Sequence, residues 1–355
     1  QPVPEVGKEL EINKNYEVTG KVADIKSTDN TKVNGLTIDT TKFTTVKVPD
    51  TNTDKLQFKL NDNSGREVTI DAPKNANLEL VLEGKNTNLK LPAENQIKIY
   101  GKDKLTLQPI SGEKVKVGTI QPTSDSMYIF TENSDIEIDN LDIYDTKQVS
   151  GESENQNNKK VKCTKARLAK GSTFVPSKIE IETVEVGLLS KILVFDKNTK
   201  ISNFIVDFNN IKDQSARTPI VFIEELPDFK DSVLSIRSGD KNLSPFKEEE
   251  QLTLAEFNTK EFENTEGIED YCKKLAATYT TTDDDKSGFK APAECVKDGD
   301  SFKVVAKKVD DKTPKKKDGL SAGAIAGIVI ACVVVVAAII ALLVYFLVIK
   351  KKKEK

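Results

Sequence analysis

The sequence predicts a mainly β protein: an elongated parallel β-helix (a solenoid) with a small helical cap, followed by one C-terminal transmembrane helix. Three observations predict it. From Val46 to Tyr144 the chain repeats short runs in which apolar and polar residues alternate, the period of a half-buried strand. These runs begin about every ten residues and are separated by turn formers. Finally, Ser321 to Ile349 carries no charged residue and is followed at once by Lys350, Lys351, Lys352 and Lys353.

Taken in order, the alternating runs include LQFKL (56–60), VTI (68–70), LELVL (78–82), LKL (89–91), IKIY (97–100), LTL (105–107), VKV (115–117), MYIF (127–130) and IEI (136–138). An immunoglobulin-like sandwich uses fewer and longer strands in the same length, whereas short strands joined at corners suit a β-helix. Tandem β-sandwiches are the alternative fold. In the β-helix, Leu78, Leu80, Leu82, Leu89, Leu91, Ile97, Ile99, Leu105 and Leu107 point inward. Asn75, Asn77, Asn86 and Asn88 at the corners are placed to stack in ladders. A polar stretch, residues 151–160 (GESENQNNKK), reads as an exposed loop or insert. Strand rhythm then resumes through VLSI (233–236) with more continuously apolar runs, which suggests strands buried on both faces.

Residues 1–250 thus form the β-rich ectodomain. Residues 251–305 read as a partly helical cap, because Ile268, Cys272, Leu275 and Tyr279 recur at three- or four-residue spacing and predict a helix from about Thr265 to Thr278. Such a cap would cover the open end of the last coil, which otherwise templates aggregation. Residues 306–318 are a charged stalk, 319–349 the transmembrane helix and 350–355 a basic cytosolic tail. About 20 apolar residues suffice to cross a hydrocarbon core of roughly 30 Å, so this run is long enough to span with tilt. Lysines flank it on both sides and do not choose an orientation. The start at Gln1 is what a removed secretory signal peptide would leave, which places the N-terminal part outside the cell.

The terminal GLSAGAIAGIVIACVVVVAAIIALLVYFLVIKKKKEK, Gly319 to Lys355, resembles the anchor of type I single-pass surface proteins of parabasalid protists. Those families often carry β-helical ectodomains of the polymorphic-membrane-protein type or leucine-rich repeats. The resemblance covers the anchor and implies display at the plasma membrane and a role in contact with hosts or neighbours. It transfers no functional residue. The lysines near the end of the tail also fit a retrieval signal, which makes the endoplasmic reticulum the alternative location.

Composition narrows the chemistry. The chain has no His and no Trp, only four Arg (Arg66, Arg167, Arg217, Arg237), and 56 acidic against 53 basic residues, for a net charge of −3. Without His there is no Ser-His-Asp or Cys-His machinery and no usual zinc site. Lysines interleave with acids and give no stripe suited to nucleic acid. The sequence therefore does not read as an enzyme. Its function reads as adhesion to, or recognition of, an extracellular protein or glycan. The alternatives are a membrane-tethered carbohydrate-active enzyme using the carboxylates between Asp135 and Asp145, and a structural protein of an envelope or endomembrane.

Five local signals remain. Asp135, Glu137 and Asp139 share one face of a strand and could hold calcium, although alternating acids are equally the pattern of a solvated outer face. No other cofactor is indicated. Cys272 and Cys295 enclose a short loop whose bridging would remove roughly 3 kcal/mol of unfolded-state entropy, against the reading of small buried hydrophobes. Cys163 is then an unpaired thiol. Asn242 lies in a glycosylation sequon, Asn242-Leu243-Ser244, followed by Pro245. Gly323 and Gly327 form a GxxxG that lets two membrane helices approach closely as a homodimer.

Overall fold

The computed structural model describes residues 16–19, 22–25, 36–48, 55–61, 65–153, 159–169, 171–187, 190–207, 218–226, 232–237, 251–281 and 288–308. Among them are twenty-three strands and one helix, α1 (Ile268–Ala277).

From Leu36 onward the strands alternate between two parallel ladders, so each coil gives one strand to each. The first ladder stacks Leu36–Ile38, Leu56–Leu60, Leu78–Leu82 and the start of Lys98–Pro109. It continues through Lys114–Thr131, Asp135–Ile143, Val161–Leu168, Glu180–Gly187, Lys200–Asp207, Val233–Arg237 and Thr280–Thr281. The second begins at Val22–Ile25 and passes through Thr45–Lys47, Glu67–Asp71, Asn86–Leu91 and the end of Lys98–Pro109. Above that lie the end of Lys114–Thr131, then Thr146–Ser153, Thr173–Ser177, Lys191–Val194, Ile220–Glu224 and Gln251–Phe262. Tandem sandwiches would need antiparallel hairpins here; the ladders are parallel, as in a solenoid. Side-chain bonds between coils link residues 22, 21 and 20 positions apart at Gln57–Glu79, Asp103–Ser124 and Asn88–Gln108. The ten-residue rhythm of the sequence is therefore half a coil.

Stacking in register puts like positions above one another and turns period-two patterning into columns. Phe58, Leu80, Ile99, Ile120, Leu141, Ala166, Val184, Phe204 and Leu234 form one inward column of the first ladder. Every member is 0% exposed. The nine residues that the sequence pointed inward between Leu78 and Leu107 are all buried. Each coil buries its apolar row only against its neighbours, so the stack is held by nearest-neighbour contacts.

Three expectations about the coils need correction. The later strands are not in general buried on both faces: Leu193, Ile205 and Ile223 face outward and are half-buried, while Ile192, Phe204 and Phe222 point in, and Val221 is an outward residue that is nonetheless buried. A two-ladder coil has one interior and one solvent side, whatever the outer residues are. No asparagine ladder forms at Asn86 and Asn88, because their register partners are Lys104 and Thr106, with Glu67 below Asn88. Unequal corner lengths between coils move each corner asparagine off the one below. Of the stretch 151–160, residues 151–153 complete the Thr146–Ser153 strand, and 154–158 lie outside the described residues.

At the C-terminal end, Gln251–Phe262 pairs in parallel with Ile220–Glu224 and antiparallel with Ser301–Lys308. That strand pairs antiparallel with Phe289–Asp298. Residues 251–262 are thus the last rung of the second ladder as well as part of the cap. Residues 306–308, placed in the stalk from sequence, finish a strand, and the compact unit runs to Lys308. Helix α1 starts after Gly267, whose φ of 80° suits only glycine well, and so begins later than the periodicity suggested. Ile268, Cys272, Leu275 and Ala276 bury one stripe, with Glu269 and Asp270 in the first turn and Lys274 in the last, each favourable to the helix dipole.

Asn242, the stalk beyond Lys308, and the charge-free run with Gly323 and Gly327 lie outside the described residues. Among the described residues no helix is long and apolar enough to cross a membrane.

Candidate functional site

Outward-facing positions also form columns, and these are charged. Lys116, Glu137, Lys162, Glu180 and Lys200 follow one another in register on the first ladder, with Glu94 bridged to Lys116. Signs alternate along the whole series. Opposite charges side by side on neighbouring strands are mildly favourable, and like charges would be costly.

This arrangement decides how Asp135, Glu137 and Asp139 are used. Glu137 is 2.6 Å from Lys114, Asp139 is 3.1 Å from Lys116, and Asp135 accepts the backbone N–H of Lys160 at 3.0 Å. No group of three or more acids or cysteines stands ready to hold a metal among the described residues. Asp142 lies 3.7 Å from Lys98, two coils below, and Asp145 occupies a left-handed corner (φ 57°) at the surface. The acids look dense along the chain because their lysine partners lie a coil away.

A tighter cluster surrounds Glu185, which meets Lys165 at 3.1 Å and Arg237 at 3.2 Å; Arg237 also meets Asp207 at 2.8 Å. Burial pushes the Glu185 carboxyl up, but hydrogen bonds and charge from Arg237 and Lys165 outweigh it and hold the group below the usual range. A carboxyl lowered in the folded state adds stability above its unfolded value and loses it as pH falls through the folded one. Stability should therefore decline as pH drops from about 5 towards 3. Arg237→Met should cost roughly 2 kcal/mol at neutral pH and flatten that decline. Urea titrations of both proteins across this range check it.

The cysteines are structural in kind. Cys272 on α1 is bonded to Cys295, with Cα atoms 5.6 Å apart, tying the helix to the Phe289–Asp298 strand. Cys163 is a buried free thiol whose pKa burial pushes up to about 12, so it is neither a thiolate nor a nucleophile at neutral pH.

The most distinctive concavity lies where successive coils turn from the second ladder back to the first. A groove of about 910 Å³ is lined there by Glu152, Lys159, Lys160, Lys178, Glu180, Lys197, Asn198 and Lys200, with Gly151, Ser153, Val161 and Leu226 beneath. Five lysines against two glutamates leave the lining net positive by three. Lys178 holds Glu152 at 3.0 Å, Lys160 and Lys200 share Glu180 at 2.6 and 3.8 Å, and Lys197 reaches Glu225 at 3.3 Å. Gly151 allows the corner to close this tightly, since a Cβ there would sit 2.5 Å from the Lys178 carbonyl oxygen.

An aromatic patch adjoins the groove. Glu152 accepts a hydrogen bond from Ser150 Oγ and stands beside Phe130 in register. Lys104 Nζ sits 4.1 Å over the Phe130 ring, and Tyr128, 42% exposed, lies 6.3 Å from Phe130. Strand alternation puts Tyr128 and Phe130 on the outer face, where rings are unusual beside so many ions. Sequence reasoning missed both parts of this surface. The available signal was the recurrence of lysine just before or at a strand start, at Lys160, Lys178 and Lys200.

Comparison with protein-family models, with curated proteins and with solved structures finds no match for the chain.

Proposed function

We propose that the chain is a single-pass surface protein, anchored in the plasma membrane by residues 321–349, whose solenoid serves outside the cell for adhesion or recognition. The observation that carries this reading is the lysine-rich groove continuous with an exposed aromatic patch. The rings sit on a strand and the groove at the corners joining strands whose inward halves are packed into one core, so the backbone under this surface is held in place before binding. The partner on the outer side is an extracellular protein or glycan; on the other side it is the lipid bilayer, with pairing through Gly323 and Gly327 as a route to a dimer. Nucleic acid fits poorly, because acids alternate with lysines along the outward column from Lys116 to Lys200.

The rival reading, a tethered carbohydrate-active enzyme, would draw its acid and base from the carboxylates between Asp135 and Asp145. Glu137 and Asp139 are engaged by lysines of the coil below, which suits a solvated face better than a proton-trading pair. Cells displaying the full chain should attach to a cell or glycan surface more than cells without it. Replacing Asp135, Glu137 and Asp139 together by Asn should leave that attachment within about twofold, since exposed pairs are worth little. Loss of a glycan-hydrolysing activity in the triple variant would overturn the adhesion reading.

A further inference from the structure

We propose that the corner groove binds a linear anionic polysaccharide, one bearing sulfate or uronate groups, laid across successive coils. This deepens the recognition reading above and rests on it. Lys160, Lys178 and Lys200 stand where three consecutive strands of the first ladder begin. Lys160 and Lys178 each lie two residues before the register pair Lys162 and Glu180, so they stand one strand spacing, about 4.8 Å, apart along the stack. Lys200 pairs with Glu180 and, with Lys197, carries the positive lining onto the next coil, offering ammonium groups along a polymer laid across the coils.

The lysines are also available. The side chains of Lys160, Lys178, Lys197 and Lys200 are 50, 51, 64 and 54% exposed although each touches a glutamate. Exposed ion pairs are worth about 0–1 kcal/mol, so an incoming sulfate or carboxylate displaces them at small cost. The glutamates distinguish the ligand class. Glu152 and Glu180 would repel a phosphodiester chain, whose binding depends on uninterrupted neutralisation of phosphates. A sugar chain offers hydroxyls as well as anions, and those hydroxyls can donate to Glu152 and Asn198 in the lining while its anions meet the lysines. The Tyr128 ring beside this row presents a flat apolar face to the C–H side of a sugar ring, with its hydroxyl still in water.

The test uses the full chain in detergent micelles, with heparin, chemically desulfated heparin and single-stranded DNA as probes. Heparin should bind with an affinity that falls steeply with salt, and the variant K160Q/K178Q/K197Q should lose about tenfold or more at fixed salt. A matched variant at paired lysines of earlier coils, K55Q/K59Q/K74Q, should stay within about twofold. Should the groove variant misfold, K197Q alone, at the most exposed of these side chains, should still lose roughly threefold. Desulfated heparin and DNA should bind more weakly than heparin. Unchanged heparin affinity in the groove variants, or DNA binding as tight as heparin, would overturn the assignment. Attachment of displaying cells without heparin binding would sink this inference and leave the recognition reading standing; absence of attachment to any surface would sink the reading itself.

Discussion

Phe222→Ala is expected to lower the free energy of unfolding by about 3–5 kcal/mol. Phe222 is 0% exposed and is stacked on Phe257 with ring centroids 4.4 Å apart and planes 4° from parallel. Tyr271 of α1 meets it edge-on at 5.7 Å, and Phe204 does so at 6.3 Å from the first-ladder strand of the same coil. The ring therefore joins three things at once: the inward column of the first ladder, the last rung of the second and the helix of the cap. Truncation would leave a cavity at that junction, and rings fixed by strands on two sides close over it poorly. Phe222→Leu should cost less, about 1–2 kcal/mol, because it keeps more of the volume. In a stack held by nearest-neighbour contacts the damage should stay near the C-terminal coils, visible as early hydrogen exchange there. A loss under about 1 kcal/mol in urea denaturation would mean that these rings are not a packed core.

Replacing Cys272 and Cys295 together by Ala should cost about 3 kcal/mol, the closure entropy of a loop whose ends are 23 residues apart. The effect should concentrate on the cap. α1 would keep its buried stripe but lose the covalent tie to Phe289–Asp298, and the last rungs would open sooner. Adding a reductant should bring the unmodified protein close to the variant and leave the variant unchanged. Equal midpoints with and without the bond would show that packing alone holds the cap.

How much of this was legible in the sequence follows from the range of each interaction. Period-two patterning is local, and it identified the strands, the inward leucines from Leu78 to Leu107 and the parallel solenoid. The stripe Ile268, Cys272, Leu275 is local as well and located the helix to within a turn. Pairing across coils is not local. Glu137 finds Lys114, and Glu152 finds Lys178, only once each coil has a length, and those lengths vary between corners. The acidic run at Asp135 to Asp145 therefore left a solvated face and a calcium site as two readings of one pattern, and the corner groove was invisible. The strand Phe289–Asp298 was hidden for another reason: it contains Pro292, which is tolerated because the pairing with Ser301–Lys308 shifts register between Lys290 and Ala293. Leu193 and Ile205 misled in the opposite sense, since apolar residues on an outer face look like a second core.

One measurement reaches the central claim directly: fluorescence labelling of intact, unpermeabilised cells with an antibody to the segment before Gly319, beside the same cells permeabilised. Signal on intact cells comparable to that after permeabilisation is the expected result, because the solenoid and its groove can meet an extracellular ligand only from outside. Signal that appears only after permeabilisation would contradict surface display, and the adhesion reading would fall with it.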